Sequence, residues 1–173
     1  MKKYKKIALY VGGIALLFLL IMIWYNATYS MNVVKSYEVN KKTAKHHLLI
    51  ASQGSPYKNS LVNDLIDELK NENLYIKVMD VTHINSTQVN EWDAIIVIHT
   101  WEAWKPQKDA LAFLNANYHL GKIFVVSTSG SGDEKIDGVD AITGASVLSE
   151  IPTQIDTIKT WVESQLNSQE NND

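Results

Sequence analysis

The chain contains neither cysteine nor arginine. Without cysteine there are no disulfides, no thiol redox chemistry and no cysteine-ligated zinc or iron–sulfur site, and the chain tolerates an oxidising compartment. Without arginine there are no bidentate guanidinium clamps for carboxylates or phosphates. Positive charge is also thin over most of the length. Four of the sixteen lysines sit at the N-terminus and all nineteen carboxylates lie beyond residue 25, so twelve lysines face nineteen carboxylates there, a net −7. That balance argues against a nucleic-acid partner, whose phosphates need a basic surface. No Gly-x-Ser-x-Gly elbow is present, so a hydrolase has no positive support. His46 and His47 are adjacent, while His83, His99 and His119 lack partners at ligand spacing, so no metal site is expected. Internal repeats and low-complexity blocks are also missing.

The most prominent feature present is one long apolar run. From Ile7 to Tyr25, nineteen residues pass without a charged side chain, and at about 1.5 Å per residue such a helix just crosses a hydrocarbon core of roughly 30 Å. Lys2, Lys3, Lys5 and Lys6 crowd its N-terminal edge in residues 1–6, and Tyr4, Trp24 and Tyr25 stand where amphipathic rings favour the two water interfaces. The charge asymmetry predicts a single-pass membrane protein with its N-terminus cytoplasmic and the remainder extracytoplasmic. A cleaved signal peptide would have a shorter apolar region and a small-residue cleavage site, which Asn26 to Asn32 does not offer. Residues 26–45 are polar and aperiodic and read as a tether; residues 167–173 read as a polar tail.

Residues 46–166 are long enough for a single core. Short runs rich in Leu, Ile and Val at His47 to Ala51, Tyr75 to Val81, Asp93 to His99 and Lys122 to Ser127 predict strands buried on both faces. Helical stripes come between and after them: Leu61, Val62, Leu65, Ile66 and Leu69; then Leu111, Phe113 and Leu114; then Ile155, Ile158, Trp161, Val162 and Leu166. Val139 to Thr143 supplies a fifth strand, and residues 84–92 leave room for a brief helix. Strands alternating with helices predict an α/β fold with a parallel sheet covered on both sides. In such a sheet ligands gather at the carboxyl ends of the strands, which singles out the loops 52–60, 100–105 and 127–137.

The first loop reads Gly54-Ser55-Pro56-Tyr57-Lys58-Asn59-Ser60 and opens an amphipathic helix. It resembles the Gly-Ser-Pro-Arg-Lys-Asn-Ser loop of the flavodoxin-like superfamily, in particular its FMN reductase and quinone reductase branch. That resemblance implies a doubly wound five-stranded parallel sheet of order 2-1-3-4-5. It also implies that Ser52, Ser55, Asn59 and Ser60, with backbone amides from Gly54 onward, hold the phosphate of FMN. Tyr57 stands where the family usually has arginine. Trp101 and Trp104 would supply the aromatic platform for the flavin ring, and Thr128, Ser129 and Gly130 the third side of its site. The residues themselves leave a second account open: the serines and proline cap a helix, the tryptophans cover a sheet edge, and the glycine-rich loop is a turn.

Asp140-Ala141-Ile142-Thr143-Gly144-Ala145-Ser146 is similar to the flavinylation sequence of membrane-linked FMN-binding domains. By that likeness Ser146 would be a covalent flavin acceptor and Asp140 part of the recognition sequence. A fifth strand and its turn require the same stretch in any case. The expectation is therefore a membrane-anchored flavodoxin-like protein that binds FMN for electron transfer or flavin-dependent reduction. Its partners would be the bilayer and a membrane-proximal redox protein or quinone. The alternative is a flavin-free domain of the same fold that binds a ligand or a protein.

Overall fold

A computed structural model of the chain describes residues 2–29, 31–70, 73–139 and 141–170. The chain divides into two units, Met1–Met31 and Asn32–Asp173. The first is the helix α1 (Lys2–Tyr29). Within it, Lys3–Trp24 forms a 22-residue span long and apolar enough to cross a membrane, and none of that span is buried within the protein.

The second unit is an α/β domain with a mostly parallel sheet. Its strands are β1 (Tyr37–Val39), β2 (His46–Ser52), β3 (Leu74–Asp80), β4 (Ala94–Glu102), β5 (Lys105–Pro106), β6 (Ile123–Thr128) and β7 (Ala141–Gly144). Its helices are α2 (Pro56–Leu69), α3 (Lys108–Asn117) and α4 (Ile151–Glu170). The expected five-stranded sheet of order 2-1-3-4-5 is corrected to a seven-stranded one, β1-β3-β2-β4-β6-β7, with β5 paired to β4. Both additions are antiparallel and both are short. They come from segments too brief and too polar to show a strand pattern: β1 from residues read as tether, β5 from the loop after β4. The brief helix expected over residues 84–92 is instead two 3-10 turns, Val81–Ser86 and Val89–Glu91.

Alternation along the central strands sorts the core into two layers. Leu48, Ile50, Ile96, Ile98 and Val126 point to the face covered by α2 and α4. Leu49, Ala51, Ile95, Val97 and Val125 point to the face covered by α3 and the first 3-10 turn. Ser55 starts α2 as its N-cap, in an extended conformation, accepting from the Lys58 amide at 3.2 Å with Pro56 in the first turn. Gln107 caps α3 in the same way through the Ala110 amide at 2.7 Å. Because the parallel strands share one direction, the ends of β2, β4, β6 and β7 deliver their loops to a single edge.

Candidate functional site

The carboxyl edge is tied together by a buried polar network. Gln53, just past β2, accepts from the Thr100 amide at 2.6 Å and donates to Glu102 at 3.2 Å, which joins the first loop to the end of β4. Thr128 Oγ1 donates to the His99 carbonyl at 3.3 Å and lies 3.0 Å from Thr100 Oγ1, which joins β4 to β6. Since the Thr128 proton goes to that carbonyl, Thr100 donates to Thr128 and accepts from Lys58 Nζ. The chain of donors runs from lysine through two threonines to the backbone.

Lys58 is the unexpected member. It lies on the buried stripe of α2 with Leu61 and Leu65 and is only 1% exposed. Burial pushes its ammonium down to about 8, opposed by the nearby Glu102 carboxylate. His99 is fully buried and its Nε2 lies 3.0 Å from Ser127 Oγ. Burial holds its imidazole at about 4; the Thr100 backbone opposes this and the Lys58 charge adds to it. Its Nδ1 has no well-formed hydrogen bond, because the Thr100 amide is committed to Gln53. Tyr57 OH donates to Gln154 on α4, and burial raises its pKa.

The residues expected to hold a phosphate sit at this edge, but the loop spends its donors inward. The Gln53 amide donates to the Ile98 carbonyl at 3.1 Å, and the Lys58 amide caps back to Ser55. Ser52 is buried and its hydroxyl donates to the Gln53 carbonyl at 2.9 Å. Gly54 forms an antiparallel bridge with Asn32, its amide donating at 2.7 Å and its carbonyl accepting at 2.8 Å. A Cβ at Gly54 would lie 2.7 Å from the Asn32 oxygen, so glycine is needed for this close approach. One step further on, the Val34 amide donates to Asp80 at 2.7 Å. The segment from Asn32 to Val34 is thus a strap laid over the first loop.

Asn59 is exposed and Ser60 half-buried. Beside the loop lies a pocket of about 310 Å³. The strap and Tyr37 form one wall; Ser52, Gly54, Asn59, Asn63, Val62 and Val78 complete it.

The other expected residues lie at or just beyond the ends of β4, β6 and β7. Trp101 is half-buried, and its indole N–H is buried without a hydrogen-bond partner. Trp104 is 86% exposed at the tip of the β4–β5 hairpin. Ser129 is buried, its amide donating to the Gly144 carbonyl at 3.1 Å and its hydroxyl accepting from the Gly132 amide at 2.9 Å, while Gly130 is exposed. Ser146 is exposed with a φ of 60°; Asp140 lies outside the described residues. Among the described residues no three potential metal ligands come together.

Sequence reasoning passed over Gln53, Lys58 and the strap, and weighed His99 only as a metal ligand. Lys58 left a signal, a lysine at the i−3 and i−7 positions of the Leu61 and Leu65 stripe. The strap left none, since its hydrogen bonds are made by backbone. No protein-family model matches the chain, and no curated protein is found similar to it.

Proposed function

We propose that this chain is a membrane-anchored, flavodoxin-like binding module, with the N-terminus cytoplasmic and the domain extracytoplasmic, whose site is the pocket beneath the Asn32 to Tyr37 segment. The observation that carries this reading is the strap: it engages the Gly54 amide, the Lys58 and Asn59 amides turn back to Ser55, and a pocket stays open beside them. With the Gly54 and Lys58 amides turned inward, fewer donors face outward for the phosphate of FMN as this loop is folded. The pocket's size falls at the lower end of ligand sites, roughly 300–1,000 Å³. Ser52, Asn59 and Asn63 offer hydrogen bonds, Lys35 a cation, and Val62 and Val78 an apolar floor. Such a lining suits a small molecule with an anionic head and a short aliphatic body. Support for the topology comes from the four lysines before the apolar span and the net −7 beyond it.

The test is thermal unfolding of the detergent-solubilised full chain with hexanoate as a probe and with FMN in parallel. Hexanoate should raise Tm, and the rise should vanish in Val62→Trp, which fills the pocket. Saturable FMN uptake with a changed flavin spectrum would overturn this reading in favour of the flavoprotein one.

A further inference from the structure

Outside α1, the described residues expose six large apolar side chains: Val33, Tyr37, Trp104, Leu120, Val147 and Leu148. Five of the six lie at one end of the sheet. Val33 follows the residue bridged to Gly54 at the end of β2. Tyr37 opens β1 opposite Val78, near the end of β3. Trp104 tips the hairpin that extends β4, and Val147 and Leu148 follow the end of β7. Leu120 alone precedes a strand, β6, and so belongs to the opposite edge.

Two further observations bear on what covers this edge. The backbone at the hairpin tip is strained: Ala103 and Trp104 have φ of 49° and 60°, a left-handed pair usually left to Asn and Gly. Holding a bulky aromatic there costs free energy, and the protein gains no internal contact for it, because Trp104 stays 86% exposed. The second is covalent. The domain begins at Asn32, on this same edge, three residues after α1 ends at Tyr29 and eight after its apolar span ends at Trp24.

We infer that the carboxyl edge of the sheet rests on the lipid surface, with Trp104 and Leu148 entering the interfacial layer. Tryptophan and aliphatic side chains favour that layer, where an apolar body is shed from water and the indole N–H keeps a polar neighbour. Charge identifies the kind of surface. This edge and its loops carry Glu102, Asp133, Glu134, Asp137 and Glu150 against Lys35, Lys105 and Lys135, so anionic headgroups give it no attraction. The contact is apolar and suited to zwitterionic lipid.

The lack of cysteine makes the test clean. Nitroxide labels are placed on Ala103→Cys, Ser149→Cys and, as control, His119→Cys in the full chain reconstituted in phosphatidylcholine vesicles. The ratio of collision with oxygen to collision with a water-soluble nickel chelate should be at least about threefold higher at 103 and 149 than at 119. Trp104→Ser should bring the value at 149 down toward the control. Equal ratios at all three positions overturn the inference. So does spin–spin broadening at 103 or 149 that disappears on dilution with unlabelled chain, which would assign the edge to a second copy. The inference rests on α1 spanning the bilayer, and an alkaline wash separates the two. Protein stripped from the vesicles fails both readings, whereas protein retained with all labels in water fails the docking edge alone.

Discussion

His99 illustrates how a single buried residue governs a measurable property. It sits in the middle of the sheet with no exposure, one ring nitrogen against Ser127 and the other without a good partner. Charging it there is costly, which is why its pKa falls to about 4. In the unfolded chain the same imidazole takes up its proton near pH 6.5. As pH falls from about 6.5 to about 4, protons therefore bind the unfolded state preferentially. Stability falls across that window, by an amount on the order of 3 kcal/mol for this one group. Urea midpoints measured between pH 7 and 4 should show the decline, and His99→Gln, which keeps a hydrogen-bonding side chain for Ser127 but cannot titrate, should flatten most of it. An unchanged slope in the variant would assign the acid sensitivity to other groups. Lys58, buried on α2 with its ammonium against Thr100, adds a cation to the same network and makes a charged His99 less favourable still.

At the scale of elements, the β4–β5 hairpin sets stability against exposure. Its two central residues are left-handed, and a non-glycine residue there costs roughly 1–2 kcal/mol. Replacing the pair by Asn and Gly, Ala103→Asn with Trp104→Gly, should raise the unfolding free energy by about 1 kcal/mol or more and shift Tm upward in a calorimetric scan. A lower Tm would mean that Trp104 packs on the domain after all. The hairpin also marks what could be read from sequence and what could not. The central strands β2, β3, β4 and β6 announce themselves as apolar runs because both their faces are covered, and α2, α3 and α4 by stripes such as Leu61, Leu65 and Leu69. β1 and β5, three and two residues long, have no room for a period. Likewise, the loops at the strand ends followed from topology. The inward use of the Gln53 and Gly54 amides did not, because a backbone bond to Ile98 or Asn32 leaves no mark on either residue's type. Gly54 itself answers the close approach of Asn32, but the resemblance assigned its amide to a phosphate where the structure places the chain's own strap.

The whole molecule depends on where the domain begins. Composition and periodicity put the start at residue 46, with the preceding twenty residues a free tether; the compact unit instead begins at Asn32. Between those two positions lie the Asn32 bridge to Gly54, the Val34 bond to Asp80 and all of β1, which shields the edge of β3 through the register Tyr37 to Val78 and Val39 to Ile76. Val34 and Val39 also pack against the core cluster formed by α2 and the sheet. Removing residues 32–45 would expose the backbone donors and acceptors of β3 as an open edge, leave Asp80 without one of its donors, and return part of Val62 and Val78 to water. Two soluble chains, 32–173 and 46–173, should therefore behave differently. The longer should unfold in one cooperative transition, and the shorter should have a urea midpoint lower by an amount corresponding to about 2 kcal/mol or more and a stronger tendency to associate through β3. Equal midpoints and equal solubility would make the strap an ornament of the fold, and the pocket it walls would then have no structural claim to be a site. A clear difference would mean that the first residues beyond α1 are part of the domain, so that the apolar helix and the wall of the pocket are separated by only a few residues of chain.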